Sequence, residues 1–372
     1  MNTFTFKRFC ASLAVVLSCG AIVALAQGPG PGGAPPPTQG FESNIQLPAN
    51  YLPQEAAAVN VVENWVRTTA AHDLDGAMSV LDNNMIVRPD PARQAAYGPV
   101  AQCSSYPFPR SNSIVRLEEV YVVGGPLDTM VLFKRADING PAVPPGGRGA
   151  VFGGFTVQVA VMVRVSNGRI TEWLDAPINK VGGLVNSPEG GLTQEPAGTN
   201  VPEPCKKYPV VGQVSAAQTR PAGQVLPYGT AKHERYWNVE EIQAAQAVRA
   251  WFAAKQAGDP LLLGAFVDQN VVFRTSPAAP FAKGRDNLLR AVCGTIGGQQ
   301  RLTKLFPIGS DFDTLVLTES VNSQGTRTAS IFRVQKSLIT EWMDVVVDAK
   351  GPTATANPGS TACHDVTTAL AR

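Results

Sequence analysis

The strongest constraint on this 372-residue chain is that it repeats itself. Trp65, Asp73, Asp82, Asn84, Arg88 and Gly98 recur in order, at a constant spacing of 186 residues, as Trp251, Asp259, Asp268, Asn270, Arg274 and Gly284. Further along, Leu127-Asp128-Thr129-Met130-Val131-Leu132 parallels Phe312-Asp313-Thr314-Leu315-Val316-Leu317, and Ile170-Thr171-Glu172-Trp173-Leu174-Asp175 parallels Ile339-Thr340-Glu341-Trp342-Met343-Asp344. The spacing falls to 169 in the last block because the first copy carries an insertion around Gly140-Pro141-Ala142-Val143-Pro144-Pro145-Gly146-Gly147. Three blocks in one order define an internal duplication, so both halves must fold as the same unit. With 44% hydrophobic residues the chain has apolar material for two cores.

Each copy has the same order of elements. Glu55 to Thr69 places Ala58, Val61, Val62, Trp65 and Val66 at helical spacing, and Ile242 to Lys255 does the same. Asp75–Leu81 and Leu261–Val267 read as second, shorter helices. In the first copy the β-rich runs Met85–Arg88, Val115–Val123, Met130–Asp137 and Phe155–Val165 follow, and Asn167-Gly168 turns the chain into a last strand, Arg169–Asp175. Helices first and strands afterwards predict an α+β unit: a curved, mostly antiparallel sheet with its N-terminal helices on one face. The boundaries are a leader from 27 to 50 rich in Pro and Gly, a first domain over 51–205, a linker over 206–236 and a second domain over 237–372.

Residues 1–26 read as a secretory signal. Lys7 and Arg8 precede the small and apolar run Ala11–Leu25, and Ala24-Leu25-Ala26 fits cleavage after Ala26. The run is short for a membrane span, and five prolines follow between Pro29 and Pro37. Lipoprotein processing at Cys19 is the weaker reading, because Leu17 fits such a motif poorly. A secreted or periplasmic protein keeps Cys103, Cys205, Cys293 and Cys363, which can pair in three ways. The repeat favours Cys103 with Cys205 and Cys293 with Cys363, one bridge per half. Closing loops of this size stabilises each half by roughly 4 kcal/mol in the chain-entropy model.

Charge excludes more than it identifies. Lys plus Arg total 31 against 29 for Asp plus Glu, so nothing draws the chain to nucleic acid or to an anionic membrane. His72, His233 and His364 are too scattered to suggest a metal centre, and no cofactor motif stands out. The glycines at Gly124-Gly125 and between Gly146 and Gly154 lack the strand–turn–helix context and the Lys-Ser/Thr of a phosphate loop. Ser104-Ser105 has no nucleophile-elbow context.

Trp-x-Asp on a last strand, behind leading helices, resembles the nuclear transport factor 2-like (SnoaL-like) superfamily, and within it the limonene-1,2-epoxide hydrolases. The resemblance covers about 54–180 and 238–350, with Gly284-Arg285-Asp286, Thr318-Glu319 and Ile339 to Asp344 carrying it in the second copy. It implies two tandem cone-like domains and a cofactor-independent site for a small apolar molecule. The family's Arg-x-Asp and Trp-x-Asp match Arg135-Ala136-Asp137 and Trp173-Leu174-Asp175. By resemblance, Asp175 is the general base that takes a proton from water, Asp137 the acid that protonates the epoxide oxygen, and Arg135 the bridge between them. Residues two apart share a face of a strand, so each pair can look into one cavity. Met85, Val87 and Trp173 would line that pocket, and Trp342 and Asp344 its counterpart in the second copy.

The family pattern is incomplete here. Its Tyr-x-Asn, which holds the water, is replaced by Met85-Ile86-Val87-Arg88 in the first copy. In the second copy Ser320-Val321-Asn322 replaces Arg-x-Asp, Val271-Val272-Phe273-Arg274 replaces Tyr-x-Asn, and Asp344 alone remains, which predicts a degenerate site. Fold alone does not fix chemistry. A non-catalytic small-molecule binder, or an isomerase or cyclase of the same fold, is the alternative to a hydrolase. The two copies would pair within the chain, or the chain would pair with a second molecule.

Overall fold

The computed structural model describes residues 40–43, 51–71, 73–88, 95–105, 113–139, 155–178, 205–206, 237–310, 313–350, 363 and 366. The signal segment, the insertion after Asn139, most of the leader and most of the linker lie outside them, as do all three histidines.

The first copy begins with β1 (Gly40–Ser43), α1 (Pro53–Ala70), α2 (Leu74–Ser79), β2 (Leu81–Arg88), β3 (Ala96–Tyr97) and α3 (Pro99–Ser105). It continues with β4 (Ser113–Gly124), β5 (Thr129–Asn139), β6 (Phe155–Ser166) and β7 (Arg169–Pro177). The second copy begins with α4 (Val239–Ala257), α5 (Pro260–Ala265), β8 (Val267–Arg274), β9 (Ala282–Lys283) and α6 (Arg285–Val292). It ends with β10 (Gln300–Gly309), β11 (Thr314–Asn322), β12 (Arg327–Gln335) and β13 (Leu338–Asp348). The sheet orders are β1-β4-β5-β6-β7-β2-β3 and β10-β11-β12-β13-β8-β9, the same topology apart from β1. The sheets are mixed: β2 runs parallel to β7 and β8 to β13, while the long strands pair antiparallel.

The repeated residues earlier read as marks of duplication have local jobs. Asp73 caps α2 by accepting from the Gly76 N–H at 2.8 Å, and Asp259 caps α5 by accepting from Leu261 and Leu262. Asp82 and Asp268 each accept from the backbone two residues on, at Asn84 and Asn270. Gly98 and Gly284 sit at φ of 82° and 99°, where a side chain would be strained. One segment departs from expectation. Gly40–Ser43, within the stretch read as a flexible leader, pairs in parallel with β4 and covers that sheet's edge.

Each sheet has a helix-bearing face and a bare face. On the helix side of the first, Trp65 of α1 packs 4.4 Å from Trp173, which also meets Phe133 edge-on at 6.1 Å. In the second copy Trp251 likewise packs 6.0 Å from Trp342, and its edge-on partner is Phe332 of β12, at 6.3 Å. The bare faces pack on each other through a third core, with residues such as Tyr121, Leu132, Met162 and Leu174 against Leu315, Ile331, Met343 and Val345. Tyr121 stacks on Phe306 at 4.6 Å across that boundary. The copies are therefore paired sheet to sheet within one chain. Disulfides join Cys103 to Cys205 and Cys293 to Cys363, with Cα separations of 5.8 and 4.9 Å.

Candidate functional site

Strand alternation decides what can meet in the first cone. Val131 and Phe133 of β5 belong to the helix-side core, while Met130 and Leu132 belong to the inter-sheet core. Arg135 follows Phe133 on the helix side, nearly buried, with its guanidinium carbon 5.8 Å from the centre of the Trp65 ring. Lys134, on the other side, pairs with Glu118 at 3.1 Å, and Ala136 is fully buried. Asp137 continues β5, its backbone between Val115 and Val157, and its side chain lies outside the described residues.

β7 brings the second carboxyl. Trp173 is in the helix-side core, so Asp175 lies on the same face, and the Trp173 indole N–H donates to its Oδ1 at 2.6 Å. Burial pushes the Asp175 carboxyl above its ordinary range, while Arg135, the indole bond and, least of the three, Arg333 pull it back. The residue nonetheless keeps part of its surface accessible. Of the other residues named from sequence, Met85, Val87 and Trp173 are fully buried in the helix-side core.

In the second cone, Trp342 occupies the matching core position and Asp344 the matching carboxyl position. Burial raises the Asp344 pKa too, against the positive charge of Lys255 and hydrogen bonds from Ser330 and Trp342. Lys255, nearly buried on α4, was not singled out by the sequence reading. The strand pattern draws attention to Ser320-Val321-Asn322; the replacement cation comes from a helix.

The other residues that sequence reasoning missed lie between the sheets. Arg88 Nε donates to Glu341 Oε1 at 2.7 Å, and its repeat counterpart Arg274 bonds Glu172. Each glutamate then meets an arginine of its own sheet: Arg333 Nε lies 3.3 Å from Glu341, and Arg164 Nη1 lies 3.0 Å from Glu172. These arginines end on Asp313 and Asp128, at 2.6 and 3.0 Å. The result is two four-membered relays related by the repeat. The guanidiniums of Arg88 and Arg274 both sit 4.5 Å from the Phe281 ring. Burial raises the Glu172 carboxyl despite its two arginines, and pushes Asp313 up to about 6. The signal was present, since Arg88/Arg274, Asp128/Asp313 and Glu172/Glu341 all fall in the repeated blocks.

Among the described residues no group of three or more His, Cys, Asp or Glu side chains gathers as metal ligands, and no helix is long and apolar enough to cross a membrane.

No protein-family model matches the sequence, and no curated protein matches it. Solved structures resemble single portions of the chain. An NTF2-like protein of unknown function from Mesorhizobium loti is 20% identical, over 30% of this chain and 96% of that one, with a TM-score of 0.26. Another, from Burkholderia xenovorans, is 20% identical over 32% and 92%, with a TM-score of 0.27. An LEH-like epoxide hydrolase from M. tuberculosis is 18% identical over 29% and 84%, with a TM-score of 0.24. The structural neighbours are NTF2-like proteins. Each of these three is covered nearly whole by about a third of the present chain.

Proposed function

We propose that the first cone is the active site of an exported, cofactor-independent hydrolase that adds water to a small apolar epoxide. The observation that carries the reading is Asp175: a deep carboxyl, held by the Trp173 indole, within the field of Arg135 and set in an apolar wall. A carboxylate whose pKa burial raises is a stronger base toward water than an exposed one, and a nearby cation favours its ionised form. Asp175 takes the proton from water. The water oxygen bonds to one epoxide carbon, and the C–O bond breaks toward the oxygen, which is protonated by Asp137. The product is a vicinal diol. Arg135 keeps Asp175 ionised while Asp137 carries its proton, the division of labour that acid–base catalysis by two carboxyls needs.

Without the family's Tyr-x-Asn, the water is oriented by Asp175 with less help, so turnover should be slow or confined to substrates that fill the cone. The test is diol formation from limonene, styrene and cyclohexene oxides by the chain starting at Gln27, compared with Asp175→Asn. The expected result is a loss of 10²- to 10⁴-fold in the variant, the usual weight of a general base. Equal diol from both proteins, or none from the folded wild type with any of the three, would overturn the reading.

A further inference from the structure

The two sheets match in register at one end and differ at the other. Gly124 pairs with Thr129 and Thr129 with Val165, as Gly309 pairs with Thr314 and Thr314 with Val334. From that common end β4, β5 and β6 run 12, 11 and 12 residues, against 10, 9 and 9 for β10, β11 and β12. Two extra residues per strand make the first wall taller by about 7 Å. All of the added length lies at the end that carries Arg135 and Asp137.

The added length changes the setting of one position. Asn322, the counterpart of Asp137, is the last residue of β11, and its Oδ1 accepts from the N–H groups of Gln324 and Thr326 in the hairpin turn. In the first copy β5 runs on to Asn139, so the backbone of Asp137 stays inside the sheet, between Val115 and Val157. β4 would be the open edge there, and an unpaired strand end frays at almost no free-energy cost. β1 lies on this edge and pairs only with this part of it. Phe41 opposes Val115, which opposes Asp137; Ser43 opposes Leu117, which opposes Arg135. The pairing stops where β4 bulges, between Leu117 and Glu119. β10 has the equivalent bulge, between Leu302 and Lys304, and among the described residues no strand lies outside it. The copy with Arg-x-Asp has the added strand, and the copy with Ser320-Val321-Asn322 does without one.

We propose that β1 is a positioning strand of the first cone: by pinning β4 opposite Arg135 and Asp137, it fixes where these residues stand relative to Asp175. The positioning rests on the register of the sheet; only its consequence for turnover rests on the hydrolase reading. Two indoles report on it. The Trp173 N–H donates to Asp175 at 2.6 Å, and the Trp342 indole bonds to Asp344 in the cone without an added strand. Their ¹⁵N–¹H resonances, followed through a pH titration, read the ionisation of each carboxyl. The chain from Gln27 is compared with its Gly40→Pro/Phe41→Pro variant, which removes a donor whichever of the two N–H groups faces β4 and leaves the charge unchanged. Arg135 pulls the Asp175 pKa down, so releasing it should raise the Trp173 midpoint by roughly 0.5–1 pH unit while the Trp342 midpoint stays. The kcat for epoxides should fall roughly 10- to 100-fold, the cost of a misplaced group. If neither protein turns over epoxide, the hydrolase reading fails and the indoles still decide this one. Should the variant fail to fold, deletion of Gly40–Ser43 reads the same prediction, since losing the Glu42 charge acts in the opposite direction. A Trp173 midpoint that stays or falls, or equal movement of both indoles, would overturn the proposal.

Discussion

At the scale of single residues, the chain holds several carboxyls whose pKa burial raises, and they serve different ends. Asp175 and Asp344 face the cones, whereas Glu172 and Asp313 sit in relays between the sheets. For Asp175 the expected consequence is kinetic. Epoxide turnover should require its ionised form, so kcat/KM should rise with pH to a midpoint above the ordinary carboxylate range, and a pH–rate profile measures this. For Asp313 the consequence is stability. Its folded pKa, about 6, exceeds the unfolded value of 3.8, so its contribution is present in full below the unfolded value and is lost as pH rises through about 6. The melting-temperature advantage of wild type over Asp313→Asn should therefore be largest near pH 4 and shrink toward pH 7. Thermal unfolding across that range checks it; an advantage that grows with pH would contradict it. In the sequence, Arg135 and Asp175 stand out only through the resemblance of their Arg-x-Asp and Trp-x-Asp motifs, and the two-residue period adds that each motif's two residues share a face. Lys255 does not, because a helix residue whose charge acts on a strand residue of another element leaves no local pattern.

At the scale of elements, repetition in the sequence translated into repeated strand order and register. Ile86 and Val87 pair with Glu172 and Trp173, as Val272 and Phe273 pair with Glu341 and Trp342. Turn chemistry was less constant. Asn167-Gly168 announces a tight hairpin, and both residues have positive φ. The second copy makes the same turn with Lys336 and Ser337, also at positive φ, with no glycine to signal it. Flanking strands already fixed in register can impose a turn that its residues do not favour. The short helices α3 and α6 and the two-residue strands β3 and β9 were not legible either, being too short to show a period. The inter-sheet relays make these elements interdependent. Glu172→Ala takes the carboxylate from Arg274 in a buried interface, while Arg164 keeps Asp128, and should cost roughly 3–5 kcal/mol in chemical denaturation, the usual result of removing one partner of a buried ion pair.

At the scale of the molecule, the duplicated unit is its own partner. Each relay takes its first arginine from one sheet and its glutamate, second arginine and aspartate from the other, as a two-fold interface between identical subunits would. Carrying both copies in one chain makes that association permanent, and the two carboxyls at equivalent positions have different cations and neighbours. The shared core and relays predict that both domains unfold together: calorimetry should give one transition, and two separated transitions would show that the sheets act independently. The central claim is that the chemistry resides in the first cone alone. The measurement that tests it most directly is initial diol formation from one epoxide by Asp175→Asn and by Asp344→Asn, side by side with the unaltered chain. Asp175→Asn should lose roughly 10²- to 10⁴-fold in turnover, and Asp344→Asn should retain it within a few-fold. Loss of activity in Asp344→Asn with activity kept in Asp175→Asn would contradict it.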